Sequence, residues 1–201
     1  MTKHEFSSYD QIASSDLPKT VLIEVIARHF KSKRYTDLVP LDGGTVGIAN
    51  FATGGLASLY REMDTPKYFG RPAAEMIANY SAKCRPDGET GNDTGWGCYS
   101  KEWWRNGMTR FLASPETEDV QNRAWLALMR PSIEDALAHG WTDSRSLAIA
   151  MGIANSMGHS GFKSLANANG WRPEDTLAAY VGDDEHRARR RDALNKTFPP
   201  D

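Results

Sequence analysis

Two stretches decide how this chain is read: Val21-Leu-Ile-Glu-Val-Ile-Ala-Arg-His-Phe30, and Leu41-Asp-Gly-Gly-Thr-Val-Gly-Ile-Ala-Asn-Phe-Ala-Thr-Gly-Gly55. In the first, Leu22, Val25, Ile26 and Phe30 recur at i, i+3, i+4 and i+8, the stripe of a helix buried along one side. That helix is expected to start near Asp16 or Thr20, because Pro18 is tolerated in a first turn. In the second, glycines at 43, 44, 47, 54 and 55 rule out a regular helix, and Thr45-Val-Gly-Ile-Ala-Asn-Phe51 suits a short strand followed by a turn.

Outward from this helix-to-strand switch the chain reads as mainly helical. Leu56 to Met63 continues as a short helix, and Pro72 opens another that runs to about Lys83. Residues 84 to 102 are rich in glycine and, with Trp103, Trp104 and Phe111 after them, are expected to form an irregular surface lobe. Glu116 to His139 is helical in pattern, with a kink or break expected at Pro131. Ser146 to Met157 is apolar on nearly every side, which marks a helix buried in the middle of a helical domain. Short helices follow near Phe162 to Ala168 and from Pro173 to Val181. A last one, about Asp184 to Thr197, carries Arg187, Arg189, Arg190 and Arg191 and reads as a solvated face. The fold class is therefore mainly α with a small β element.

At 201 residues the chain is long enough for one domain, and a chain of this size buries roughly 70% of its unfolded surface. Its net charge of -2, from 24 basic and 26 acidic side chains, argues against nucleic-acid binding and electrostatic membrane attachment. No apolar run approaches the roughly 18 residues of a membrane helix. Met-Thr-Lys-His-Glu-Phe lacks the basic start and apolar stretch of a signal peptide, so the chain is expected to be made in the cytoplasm. Cys84 and Cys98 enclose a Gly/Asp-rich loop and are compatible with one disulfide or with two free thiols, because spacing alone does not orient Cβ vectors.

Glu24 and Asp42 bracket the helix-to-strand switch, and paired carboxyl groups suit glycosidic-bond hydrolysis. One protonates the leaving oxygen while the other activates water or stabilises an oxocarbenium-like carbon. Taken alone, Glu24 has a plainer role as an i, i+4 ion pair with Arg28. Competing chemistries lack their motifs. The glycines form neither GxxxxGK[ST] nor GxGxxG, the five histidines include no HExxH, and Gly158-His-Ser160-Gly161-Phe162 lacks the glycine of a nucleophile elbow.

The acid in Leu22-Ile-Glu24, followed by Asp42-Gly and by Gly47-Ile-Ala-Asn-Phe-Ala-Thr-Gly54, resembles the family-46 chitosanases of the lysozyme superfamily. Val120-Gln121 with Pro131 and Ala136, the buried helix ending Met157-Gly-His159, and the arginine-rich final helix add to the resemblance. It implies a two-lobed lysozyme-like fold in a single domain spanning residues 1–201, with a cleft between a small lobe, about 40–115, and a helical lobe. It also implies inverting hydrolysis of β-1,4-linked amino-sugar chains without a cofactor or metal. By the same resemblance Glu24 is the general acid, Asp42 the general base and Thr45 the water-positioning residue, although Thr45 follows the aspartate two residues sooner than in the family.

Sugar faces pack on aromatic rings and hydroxyls need amide partners, so Asn50, Tyr60 and Trp103, with Thr53 of the Thr-Gly turn, are the expected substrate-binding residues. Trp96 and Trp104 are further groove candidates, whereas Trp125, Trp141 and Trp171 read as packing residues, and Trp103-Trp104 is expected to divide into one exposed and one buried ring. Where the chitosanase pattern has an acidic residue after the turn, this chain reads Gly54-Gly-Leu-Ala-Ser58, which favours peptidoglycan over a cationic polysaccharide. The expected function is a muramidase-like peptidoglycan glycosidase, an antibacterial effector or lysis enzyme. Such an enzyme would reach the periplasm or cell wall by a non-Sec route and have a cognate inhibitor (immunity) protein as partner. A chitosanase and a non-catalytic lysozyme-like binding module are the alternatives.

Overall fold

The computed structural model describes residues 5–28, 34–40, 44–52, 54–78, 99 and 101–200. Asp42, Thr53, Cys84, Trp96 and Cys98, the end of the helix expected to reach Lys83, and most of the expected lobe at 84–102 lie outside the described residues. The chain divides into two compact units, residues 1–32 with 129–201, and residues 33–128.

The first unit is helical. It begins with α1 (Tyr9–Ala13), whose Ser8 hydroxyl accepts from the Gln11 N–H, and α2 (Leu17–Thr20), with Pro18 in its first turn. Without a break α2 widens into a π-helical segment, Val21–Ala27. Val21, Ile23, Val25 and Ile26 make this a β-branched run, the side chains most crowded against the preceding turn of an ordinary α-helix. Val21, Leu22, Val25 and Ile26 are all at 0% exposure, so the segment is anchored on its apolar side.

The second unit contains β1 (Leu38–Val39), β2 (Thr45–Val46), α3 (Gly54–Glu62), α4 (Thr65–Phe69), α5 (Ala73–Ala78) and α6 (Glu102–Leu112). α7 (Thr117–Ala138) spans the unit boundary, and α8 (Ser144–Ala168), α9 (Pro173–Val181) and α10 (Glu185–Thr197) return to the first unit.

α8 is the core of the first unit. Leu147, Ala148, Ile149, Ala150 and Met151 are wholly buried, and the π-helical segment, α9 and α10 all pack against it. Fully burying each large apolar side chain contributes about 1.5–3 kcal/mol. Gly158, at φ 71° and ψ 173°, interrupts the helix where the sequence places its glycines, and only glycine adopts that backbone freely. At the other end Asp143 caps α8 by accepting from the Arg145 and Ser146 N–H groups, at 2.9 and 3.0 Å, and from the Ser146 hydroxyl at 2.7 Å. Burial pushes the Asp143 carboxyl up, but these hydrogen bonds together outweigh it and hold the group below its ordinary value.

In the second unit β1 and β2 pair antiparallel, Leu38 opposite Val46 and Val39 opposite Thr45. The chain then turns at once, and Val46 and Phe51 exchange two backbone hydrogen bonds of 2.9 Å. The turn is held from α7 by Gln121, which is at 0% exposure. Its Oε1 accepts from the Ile48 N–H at 3.1 Å, and its Nε2 donates to the Tyr35 carbonyl at 2.8 Å and the Thr117 hydroxyl at 3.0 Å. Gly47, at φ +67°, lets the amide in, since a Cβ there would stand 1.8 Å from Oε1.

Three expectations are corrected. Trp103, Trp104 and Phe111 belong to the regular helix α6, not to an irregular lobe; Trp104, Met108 and Phe111 on one face are buried at 0% exposure. Of the kink or break expected at Pro131, the break does not occur: α7 continues through it, because Ile133 and Ala136 just beyond are wholly buried and tertiary packing outweighs the N–H that proline lacks. Arg190 is not on a solvated face: it is 4% exposed, and its Nη1 donates to the Gly152 carbonyl at 2.9 Å and also to the Ser156 hydroxyl. Burial pushes its guanidinium pKa down.

Two outcomes are expected. Gly47→Ala should lower the midpoint of urea unfolding by an amount equivalent to about 2 kcal/mol or more, through the forced φ and the loss of the Gln121 bonds. Asp143→Asn should cost about 1 kcal/mol near neutral pH. Because the folded Asp143 pKa is depressed, its stabilisation is complete above the unfolded value of about 4 and is lost as pH falls through the folded one. The gap between wild type and Asp143→Asn in thermal melts should therefore close on acidification.

Candidate functional site

The five buried residues of the π-helical segment, Val21, Leu22, Val25, Ile26 and Ala27, pack toward α8 and α10, which leaves Glu24 on the remaining side of the turn with its side chain 32% exposed. π-helical turns are rare and recur at functional sites, since the widened turn redirects a side chain without unwinding the helix. The Glu24 carboxylate pairs with Arg28 Nε at 2.7 Å, the i, i+4 contact that the sequence suggests for it. It also lines a surface groove of about 400 Å³ together with Asp16, Lys19, Thr20 and Ile23. That volume lies within the range of small-ligand sites.

The other expected site residues fall in the second unit. Thr45 is in β2 and 5% exposed. Asn50 closes the turn after β2 in a left-handed conformation, φ 55°, and its buried Oδ1 has no hydrogen-bond partner. Trp103 is 38% exposed on α6, with the Phe69 ring edge-on at 6.2 Å and the Arg71 guanidinium 5.1 Å from its centroid. Its neighbour Trp104 is the buried ring of the pair.

Tyr60 is a correction. It is at 0% exposure and its hydroxyl accepts from Trp104 Nε1 at 2.7 Å, so it belongs to the core and presents no ring face to a sugar. Trp104, also named as a groove candidate, is held there by a close fit. A Cβ on Gly44 would stand 2.5 Å from its ring.

Sequence reading missed Asp16, Lys19 and Thr20 as neighbours of Glu24. The signal was available: Asp16 and Thr20 precede Glu24 by eight and four residues, about two turns and one turn of a continuous helix. Asp16 was read only as a helix start. Among the described residues no group of three or more His, Cys, Asp or Glu side chains is arranged to hold a metal ion, and no helix is long and apolar enough to cross a membrane.

One other ionisable cluster stands in the first unit. Asp135 on α7 accepts from His159 Nε2 at 2.7 Å and from Lys163 at 2.9 Å. Burial pushes its carboxyl up, and these two partners outweigh that and hold it below its ordinary value. The cluster ties the end of α7 to α8 beyond the Gly158 kink.

Because Arg28 is 52% exposed, its pair with Glu24 should contribute little to folding. Arg28→Ala is expected to change stability by less than about 0.5 kcal/mol, measured by thermal melting. No family model, curated protein or solved structure matches this chain.

Proposed function

We propose that this chain is a muramidase-like peptidoglycan glycosidase that hydrolyses β-1,4-linked amino-sugar chains, with a lysozyme-like two-lobed fold. The observation that carries the reading is the placement of Glu24. An acidic side chain stands on a π-helical turn, its apolar neighbours on that turn are wholly buried, and its carboxylate opens on a groove of small-ligand size. A rigidly anchored acid at a groove is what proton delivery to a glycosidic oxygen requires.

In this reading Glu24, protonated, gives its proton to the leaving oxygen as the bond to the anomeric carbon breaks. Asp42 takes a proton from the attacking water, and Thr45 helps to position that water, so the product inverts. No cofactor takes part. An enzyme of this kind would serve as an antibacterial effector or lysis enzyme delivered to the wall by a non-Sec route, and its producer would carry a cognate inhibitor.

One observation favours a second reading, a non-catalytic wall-binding module. The 2.7 Å pair with Arg28 engages the carboxylate that the acid role needs protonated and free. The two readings part in a digest of purified peptidoglycan, and in parallel of chitosan, followed by mass spectrometry. Muropeptide release by wild type, reduced at least about 100-fold in a folded Glu24→Gln, is the expected result. Chitosan oligomers alone would transfer the reading to a chitosanase, and no product from either polymer would leave the binding module.

A further inference from the structure

The groove beside Glu24 has a neighbour. A second cavity of about 420 Å³, a trough on the surface of the first unit, shares Asp16 and Thr20 with it and is lined further by Phe6, Ser14, Ser144 and Phe198. The two adjoin at the start of α2.

The far rim of the trough is built from segments at the two ends of the described chain, and both are pinned to the start of α8. The Phe6 N–H donates to the Thr142 carbonyl at 2.7 Å, and Glu5 bridges to Asp143. The Phe198 carbonyl accepts from Arg145, which also holds Glu174 at 2.6 Å and Asn195 at 2.9 Å.

Inside the trough polar groups are left over. Asp16 occupies the position before α2 from which a side chain caps a helix, yet it makes no cap bond, and neither hydrogen bond nor ion pair engages its carboxylate among the described residues. The hydroxyls of Ser14, Thr20 and Ser144 likewise have no partner among the described residues. Among the described residues Asp16 is also the one charged side chain lining the second cavity, whereas Lys19 lines the Glu24 groove. An unspent carboxylate beside unspent hydroxyls and two phenylalanines is a donor set for a cation carried on a partly apolar, hydrogen-bonding body.

We propose that this trough binds an ammonium-bearing ligand segment. Asp16 is the counter-charge, the free hydroxyls meet neighbouring hydroxyl or amide groups, and Phe6 and Phe198 take the apolar part. In a wall polymer this chemistry comes from the diamino-acid amine of a stem peptide or from a deacetylated hexosamine. That choice of carrier rests on the glycosidase reading, whereas recognition of an ammonium group does not.

The test is calorimetric titration of the full chain carrying Glu24→Gln with three probes: soluble glycan strands bearing stem peptides with free amines, the same strands with those amines acetylated, and stem-free de-N-acetylated strands. Asp16→Asn is expected to weaken binding of an amine-bearing probe about tenfold and to leave the acetylated probe unaffected, and Asp16→Glu should restore part of the loss. Asp16 makes no side-chain bond among the described residues, so the variant should melt like its parent. The amine-bearing probe that responds identifies the carrier.

Equal effects of Asp16→Asn on free and acetylated probes, or no effect on either, would overturn the proposal. So would loss of turnover on every substrate by Asp16→Asn in the chain that retains Glu24, with binding unchanged, which would make Asp16 a reacting group. Wild-type hydrolysis is scored separately. Amine-dependent binding without hydrolysis would sink the glycosidase reading and keep the trough, and hydrolysis indifferent to Asp16 would do the reverse.

Discussion

A stretch of helix with almost no polar side must be surrounded, and in the first unit that stretch is the first part of α8, Ser146 to Ala154. Its run from Leu147 to Ile153 is essentially unexposed, so the π-helical segment, α9 and α10 are organised by the need to cover it. Burial of apolar surface has no direction of its own and cannot set register. The polar ends supply that: Asp143 caps the start of α8, and Arg190 reaches from α10 to the Gly152 carbonyl midway along it. A buried guanidinium costs desolvation, and its hydrogen bonds offset part of that cost while fixing which turn of α10 lies beside which turn of α8.

The second unit is organised by close approach. Gly47 admits the Gln121 amide, Gly44 admits the Trp104 ring, and Gly107 lets α6 lie on α4, where a Cβ would stand 2.4 Å from the Phe69 ring. Each glycine is matched to one particular side chain. Gln121 is the most constrained of these partners, because a buried amide left without bonds is costly and two of its bonds, to Ile48 and Tyr35, go to separate pieces of chain. Among the described residues the small sheet has two short strands, so the turn after β2 takes its rigidity from α7 more than from strand pairing.

Glu24 depends on the first of these arrangements. Its backbone is held by neighbours that cannot leave the core, while its side chain is left at a surface with Arg28 and the trough beyond. Such a division of labour, rigid backbone and available carboxylate, is compatible with catalysis and with binding alike. What separates the two is chemical, whether the carboxylate exchanges a proton with a bound sugar. The trough adds a specificity element that does not depend on that answer, since Asp16 acts through charge alone.

Much of the helical architecture was legible in the chain itself. The largely apolar run from Ser146, buried as far as Ala154 although Met157 at its expected end is exposed, the breaks at Gly158 and Gly170, and Pro173 opening a helix are local signals, because side-chain periodicity and backbone restriction act within a few residues. The strand and turn at 45–51 were legible for the same reason. Helix α6, the unbroken α7 and the burial of Arg190 and Tyr60 were not, for each depends on what a distant segment offers: a packing surface, a carbonyl, or the Trp104 indole. At the site, sequence alone determined that Glu24 stands in an apolar helix. Only the tertiary structure decided that the turn is π-helical and that Asp16 and Thr20 share a trough with Phe6 and Phe198. A cavity is a property of surfaces brought together from far along the chain, and no local pattern encodes it.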